Sequence, residues 1–478
     1  MPLSRKTRIC LALLFVAAFG VRAAAVLVLE SYHDPYTYEH GEIAENLLAG
    51  KGFRVTFLGV DGLTSQQAPL YPCVLAGSYW CLGSKTDAAH LALQLLQCVV
   101  GAAVIPCVFL LTRSFTTRQP AVAWVAAAGA AVYPPHVYMV THIQVAVWAT
   151  FALAWLAAWS FSHRYGGWPK AVGLGVLSGA LLLIDPILAL ALPFLAIAYW
   201  LRLRSTPLDT IAQLTSGAFS RLPWLSPVPY AKTCAMAAVA ALVVTPWVIR
   251  NYRVHGEFVF VKSTFGYAFW QGNNSRSWGT DKIPKRFDEA LQGETLADVN
   301  RWLADARSET LYIDDELLTA EDDAALRALN EPARSRLLGA RAKSFIREHP
   351  GDYAALCWQR LRYFFWIDAT NPKASHPIYV SSTSVWLASF LLGLAVLHPQ
   401  DRVAWLSLVI VLAVGLFHVM TISSARFRLP IEPMSFPWCA AAAVWIAKHG
   451  ISSFRSWLTF RSQTPSRMAN PPIAPNSA

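Results

Sequence analysis

The chain has 478 residues, of which 55% are hydrophobic and 14% charged, with a mean hydropathy of +0.37 and 19 Trp. A water-soluble domain cannot bury that much apolar surface, so the composition excludes a soluble enzyme and points to an all-α polytopic membrane protein. The net charge of +11 is no sign of nucleic-acid binding, because the cytoplasmic loops of membrane proteins collect Lys and Arg.

Arg5, Lys6 and Arg8 precede the apolar run Ile9–Leu29, whose length and internal Arg22 mark an uncleaved first span rather than a signal peptide. Directly behind it lies the polar, aromatic stretch Glu30–Phe53. Asp34-Pro35 reads as a helix start, since Asp accepts from first-turn N–H groups and Pro fits the first helical position. Tyr36, His40, Ile43, Ala44, Leu47 and Leu48 then recur at helical spacing, and Gly50 and Gly52 stop the helix. Ala68–Gly83 reads as a second interfacial helix.

Further spans are expected near residues 88–112, 120–140, 143–162, 170–184, 186–201, 233–249, 378–397, 402–422 and 430–447. With the N-terminus in the cytoplasm, Arg113, Lys170, Arg202, Arg204, Arg402 and Lys448 all fall on the inner side. The expected organisation is about ten transmembrane helices. Residues 1–249 form an N-terminal membrane module with a first outer loop at 30–87. Residues 250–377 form a helix-rich extracytoplasmic domain, and 378–448 form C-terminal membrane helices. Residues 449–478 form a cytoplasmic tail expected to be disordered, Pro-, Ser- and Asn-rich from about Gln463. Both termini are then cytoplasmic, at the cell's inner membrane. No internal repeat of the kind common in transporters is present.

Arginines on the wrong side are the informative anomaly. Arg250 and Arg253 follow the span ending TPWVI, and Arg426 and Arg428 lie in SSARFRLPIEP between the last two spans. Guanidinium groups grip phosphate through paired charge-assisted hydrogen bonds, so a lipid phosphate at the outer leaflet is the expected ligand. Asp34 is the candidate carboxylate, either as a simple helix cap or as a general base facing those arginines. Arg22 is expected to line a cavity or snorkel, Asp185-Pro186 to make a turn, and Trp270 and Trp278 to anchor the interface or stack on a sugar. The eight Cys form neither a metal-spaced cluster nor a disulfide framework. No cofactor is evident, and a divalent metal is left open.

The pieces HDPYTYEHGEIAENLLAGKGF, QQAPLYPCVLAG, YPPHVYMVTHIQ, TPWVIRNYRVHGEFVFV, FIREHPGDY and SARFRLPIEP occur in this order between the spans. Together they resemble the membrane-embedded C-type glycosyltransferases that use polyprenyl-phosphate-linked sugars. The similarity is to the family 39 and RgtA/B/C/D-like group, with its protein O-mannosyltransferases and lipid A aminoarabinose transferase. The resemblance implies that Asp34 is catalytic and that Arg250 and Arg426, with Arg253 and Arg428, hold the lipid phosphate. Tyr38, Gln67 and Tyr71 are further possible substrate contacts. Relatives often carry Lys, Arg or His before a Pro-Pro-Leu-Tyr segment, where this chain has Gln67-Ala68-Pro69. The implied partners are the bilayer, a polyprenyl-phosphate-linked sugar and an acceptor lipid, glycan or protein. A transporter or flippase of lipid-linked sugars, or a non-catalytic subunit of envelope polysaccharide assembly, is the alternative.

Overall fold

A computed structural model describes residues 3–116, 119–162, 167–204, 227–283, 295–308, 312–371, 376–397, 399 and 401–462. The helices run in the order α1 (Arg5–Val28), α2 (Tyr38–Leu48), α3 (Leu70–Leu82), α4 (Asp87–Phe115), α5 (Pro120–Val132), α6 (Pro134–Met139), α7 (Ala146–Ser160), α8 (Trp168–Ile184) and α9 (Leu192–Arg204). They continue with α10 (Pro227–His255), α11 (Phe265–Gly272), α12 (Leu296–Ser308), α13 (Ile313–Leu317), α14 (Ala320–Arg327), α15 (Glu331–Glu348) and α16 (Pro350–Phe365). The last are α17 (Pro377–Val396), α18 (Trp405–Met420), α19 (Ala425–Arg428) and α20 (Glu432–Ser462). Among the described residues, six helical segments are long and apolar enough to cross a membrane: Arg5–Val28, Asp87–Phe115, Pro186–Arg204, Pro227–His255, Pro377–Val396 and Arg402–Met420. The chain is therefore a helical, multi-pass membrane protein. Four shorter apolar helices, α3, α5, α7 and α8, accompany them.

The packing follows from the sequence. The α4 helix, the most buried of the six, packs against α1, α5 and α7 over a core rich in Ala, Leu and Val. Gly175 and Gly179 on α8 let α10 approach closely; a Cβ on Gly175 would stand 2.6 Å from the Met236 carbonyl oxygen. Arg22 neither snorkels nor lines the large cavity described below. It is fully buried and donates to the carbonyls of Ala18 at 3.0 Å, Ala131 at 2.9 Å and Ala130 at 3.4 Å. The guanidinium thus satisfies carbonyls that the end of α5 leaves without helical partners. Between α8 and α9, Asp185 accepts from the Ile187 N–H at 3.2 Å and starts the 3-10 turn Pro186–Ala191, so the helix breaks where the sequence puts Asp-Pro.

The first loop departs from expectation in two places. The α2 helix begins at Tyr38, after Thr37, and not at Asp34. Pro35 disfavours the helical region for the residue before it, and Asp34 sits in a left-handed turn at φ 41°. Asp34 is therefore no helix cap. After α2 comes a hairpin absent from the sequence-based expectation, β1 (Arg54–Phe57) against β2 (Val60–Leu63). Its turn residues Leu58 and Gly59 both have positive φ, at 49° and 70°, as a two-residue hairpin turn requires.

The helices between α10 and α17, the segment expected to form an outer domain, dock on this loop. Trp270 is an interior residue there, packed with Ile313, Leu326, Leu338 and Ala342, and so is not available to stack on a sugar; Trp278 is exposed. Arg360 is fully buried and donates to the carbonyls of Gly272 at 2.7 Å, Val419 at 2.6 Å and Thr421 at 3.0 Å, fastening the domain to the end of α18. At the C-terminus, α20 continues to Ser462, so residues 449–462 are helical rather than disordered; the tail from Gln463 lies outside the described residues.

Replacing Gly175 or Gly179 with Leu should force α8 off α10. Overpacking of this kind costs roughly 1–3 kcal/mol, so both variants should melt lower than the parent in the same membrane mimetic. Parental melting temperatures would show that this helix pair does not rely on close approach.

Candidate functional site

A cavity of about 790 Å³ lies where the membrane helices meet the first loop and the segments between α10 and α17. One part of its wall is apolar and belongs to membrane helices: Val21, Ala25 and Val28 of α1, Val132 of α5 and Ile378 of α17. The opposite chemistry comes from Glu39, Gln67, Asp185, Lys262, Asp281 and Arg426. The cavity is thus amphipathic, with an apolar wall on helices of the membrane bundle and a charged lining drawn largely from the loops.

The charged groups are organised around Glu39. Its Oε1 accepts from Gln66 Nε2 at 3.3 Å and its Oε2 from Gln67 Nε2 at 3.4 Å. Lys262 Nζ donates to Gln67 Oε1 at 3.1 Å, so one amide bridges the carboxylate and the ammonium. Burial pulls the Lys262 ammonium below the ordinary Lys value, while Asp185 and Glu39 pull it back and Arg426 lowers it further. Burial also opposes charge on Arg426, but Asp281, Tyr38, Glu39 and Tyr312 outweigh it and hold the guanidinium ionised. His40, next to Glu39, is pushed down to about 3 by burial, then by Lys262 and Arg426, and is a neutral imidazole at physiological pH. Among the described residues no group of three or more His, Cys, Asp or Glu stands ready to hold a metal ion.

The sequence-derived candidates divide sharply. Arg426, Tyr38 and Gln67 line the cavity. Arg428 lines it too, but its Nε donates to Glu432 Oε1 at 2.6 Å and its Nη1 to the Phe364 carbonyl at 2.9 Å, over the Trp386 ring. Glu432 in turn meets His136 Nε2 at 2.8 Å and Tyr133 at 3.2 Å, so Arg428 belongs to a buried, internally balanced cluster. Asp34 is exposed and does not line the cavity. Tyr71 is buried away from it, donating to Gln97 Oε1 at 3.0 Å. Arg253 is exposed in the last turn of α10. Arg250 is spent on the first loop, donating to the carbonyls of Thr64 at 2.6 Å and Phe53 at 3.0 Å and standing over Trp247. Backbone carbonyls also accept hydrogen bonds from a guanidinium, which is why an Arg at a span end alone does not reveal its ligand.

Glu39, Lys262 and Asp281 line the cavity without having been singled out from the sequence. Lys262 had a usable signal: it is a lone cation in the apolar stretch FVFVKST on the expected outer side, the same anomaly that marked the arginines. It also supplies an ammonium beside Gln67. Glu39 had no distinguishing signal among the acidic residues of its helix.

No family model matches the sequence, and no curated protein matches it. Several solved structures are similar in fold, among them the following. The archaeal oligosaccharyltransferase AglB from Archaeoglobus fulgidus, in complex with an inhibitory peptide and a dolichol-phosphate, is 13% identical, covers 98% of this chain and 53% of its own, and gives a TM-score of 0.48. A crystal structure of the A. fulgidus oligosaccharyltransferase with Zn and sulfate is 13% identical, covers 95% and 52%, and gives 0.47. ArnT from Cupriavidus metallidurans, bound to undecaprenyl phosphate, is 14% identical, covers 90% and 77%, and gives 0.36. The chain spans about half the length of the archaeal enzyme.

Proposed function

We propose that the chain is an integral-membrane glycosyltransferase that moves a hexosyl or pentosyl group from a polyprenyl-phosphate-linked donor to an acceptor lipid, glycan or protein. The amphipathic cavity carries this reading. A donor with an isoprenoid tail, a phosphate and a sugar needs an apolar wall on the membrane bundle, cations at its edge and a polar chamber beyond. The wall at Val21, Ala25 and Val28, the cations Lys262 and Arg426, and the polar groups Tyr38, Glu39 and Asp281 supply those three environments within one cavity. The distribution of Lys and Arg supports a cytoplasmic N-terminus, an inner-membrane location and an extracytoplasmic outer domain.

In the proposed step the acceptor oxygen or nitrogen attacks the anomeric carbon, and the bond from that carbon to the phosphate oxygen breaks. The electron pair leaves with the lipid phosphate, whose added negative charge Lys262 and Arg426 stabilise. Glu39 takes the acceptor's proton. Its two amide partners keep the carboxylate oriented while leaving lone pairs on both oxygens. Neutral His40 next to it adds no positive charge that would weaken the carboxylate as a base.

Binding of polyprenyl phosphate to the full chain in lipid nanodiscs tests the donor site. Losing one charge-assisted contact costs about 1.5–3 kcal/mol, or roughly ten- to a hundredfold in Kd. Lys262→Ala and Arg426→Ala should each weaken binding on that scale, and the exposed Arg253→Ala should leave it unchanged. Because burial lowers the Lys262 pKa, the parent should lose affinity as pH rises through that lowered value, and Lys262→Arg should remove this loss. Parental affinity in both alanine variants would refute the donor site.

Turnover tests the base. Glu39→Gln keeps shape and should lower transfer from a radiolabelled polyprenyl-phosphate sugar by on the order of a hundredfold with donor binding intact. Asp34→Asn should keep near-parental turnover, since Asp34 stands outside the cavity. The opposite pattern would return the role of base to Asp34, and donor binding or translocation without bond cleavage would favour a transporter or a non-catalytic subunit.

A further inference from the structure

Glu331 opens α15 in the outer domain, is only 8% exposed and does not line the cavity. Its Oε2 accepts from Thr64 Oγ1 at 2.5 Å, and its Oε1 accepts from the Ser65 N–H at 2.7 Å and from Ser263 Oγ at 2.5 Å. The Ser263 N–H donates to the Ser65 carbonyl at 3.0 Å, so the segments around residues 65 and 263 are also tied to each other. Both hang on one carboxylate from another domain. The next residues along these segments are cavity groups: Gln66 and Gln67, which hold Glu39, and Lys262, which donates to Gln67.

The surroundings show how a buried charge is tolerated there. Arg250 donates to the Thr64 carbonyl and to Ser65 Oγ at 3.2 Å, and His255 Nε2 lies 2.8 Å from Ser65 Oγ and 3.8 Å from Glu331. Arg334, one turn along α15, donates to the Phe57 carbonyl at 3.0 Å and docks the same helix on the hairpin. Taking a carboxylate out of water is costly, and neutral groups could link two loop segments at lower cost. What a carboxylate adds is two oxygens in a rigid plane that fix three donors from two segments at once.

We propose that Glu331 is a positioning residue through which the outer domain sets the phosphate site, by holding Lys262 and the Gln66–Gln67 cradle of Glu39 in register. The proposal rests on Lys262 being a ligand of the lipid phosphate. It assigns to a residue outside the cavity a control over affinity inside it.

The test uses polyprenyl phosphate as the probe, the full chain in nanodiscs, and two readouts, Kd and melting temperature. Lys262→Ala alone decides the underlying assignment: no loss of affinity there overturns the phosphate site, whatever Glu331 does. Given that loss, Glu331→Gln should weaken binding about tenfold. The double variant Lys262→Ala/Glu331→Gln should bind within about twofold of Lys262→Ala, because the placement of an absent ammonium no longer matters. Ser263→Ala removes a single donor, keeps the chain foldable if Glu331→Gln does not, and should show the same non-additive loss. Parental affinity in Glu331→Gln or Ser263→Ala with only the melting temperature lowered, or losses that add to that of Lys262→Ala, would overturn the proposal.

Discussion

Ionised groups at the edge of a hydrocarbon layer lose most of their hydration, and only partners inside the protein can replace it. Two clusters in this protein meet that demand differently. Arg428, Glu432, His136 and Tyr133 close on themselves: the guanidinium faces the carboxylate at 2.6 Å, and the carboxylate's remaining capacity is taken by the imidazole and the phenol. Glu39, Gln67 and Lys262 form an open arrangement instead, in which amides at 3.3–3.4 Å hold the carboxylate loosely and Arg426 faces the same space. A closed cluster contributes structure. An open one is the arrangement that the proposed phosphate site requires.

This difference explains why the cavity needs three parts of the chain. Membrane helices alone supply the apolar wall, because a continuous hydrogen-bonded helix is the form in which backbone can face lipid. They cannot also present a carboxylate and an ammonium side by side without stranding both. The first loop carries Glu39 on α2 and the two glutamines behind the hairpin, while Lys262 arrives on the segment after α10. Arg250 and Glu331 then tie these pieces together from opposite sides, one from the end of α10 and one from the start of α15. The hydroxyl and amide groups between them carry no charge themselves, so they transmit position without adding to the electrostatic cost.

Much of this was legible in the sequence. The long apolar runs gave the membrane helices, since a run such as Ile9–Leu29 has few other stable fates. Arg426 was singled out because a cation on the expected outer side needs a reason, and it does line the cavity. The same logic singled out Arg250, whose guanidinium the structure places on the carbonyls of Thr64 and Phe53 instead of in the cavity lining. Asp34 misled because Asp-Pro is a good helix-start signal, and the signal does not say whether the residue before Pro will instead turn left-handed, as it does at φ 41°. That three-residue delay moves the start of α2 and puts Glu39, not Asp34, against the cavity. The hairpin escaped notice because its strands are four residues each, too short for alternation to stand out from loop. Glu331 was beyond any local pattern: its partners are 266 to 267 and 68 residues away in sequence.

The central claim is that the lipid phosphate sits at the open cluster with the isoprenoid tail along the α1 wall. A cryo-electron microscopy structure of the full chain in nanodiscs with added polyprenyl phosphate measures this directly. Phosphate density is expected within hydrogen-bonding reach of Lys262 Nζ and the Arg426 guanidinium, at about 2.7–3.2 Å, with tail density against Val21, Ala25 and Val28. Phosphate bound beside Arg250 or Arg253, with the cavity between Lys262 and Arg426 empty, would contradict it.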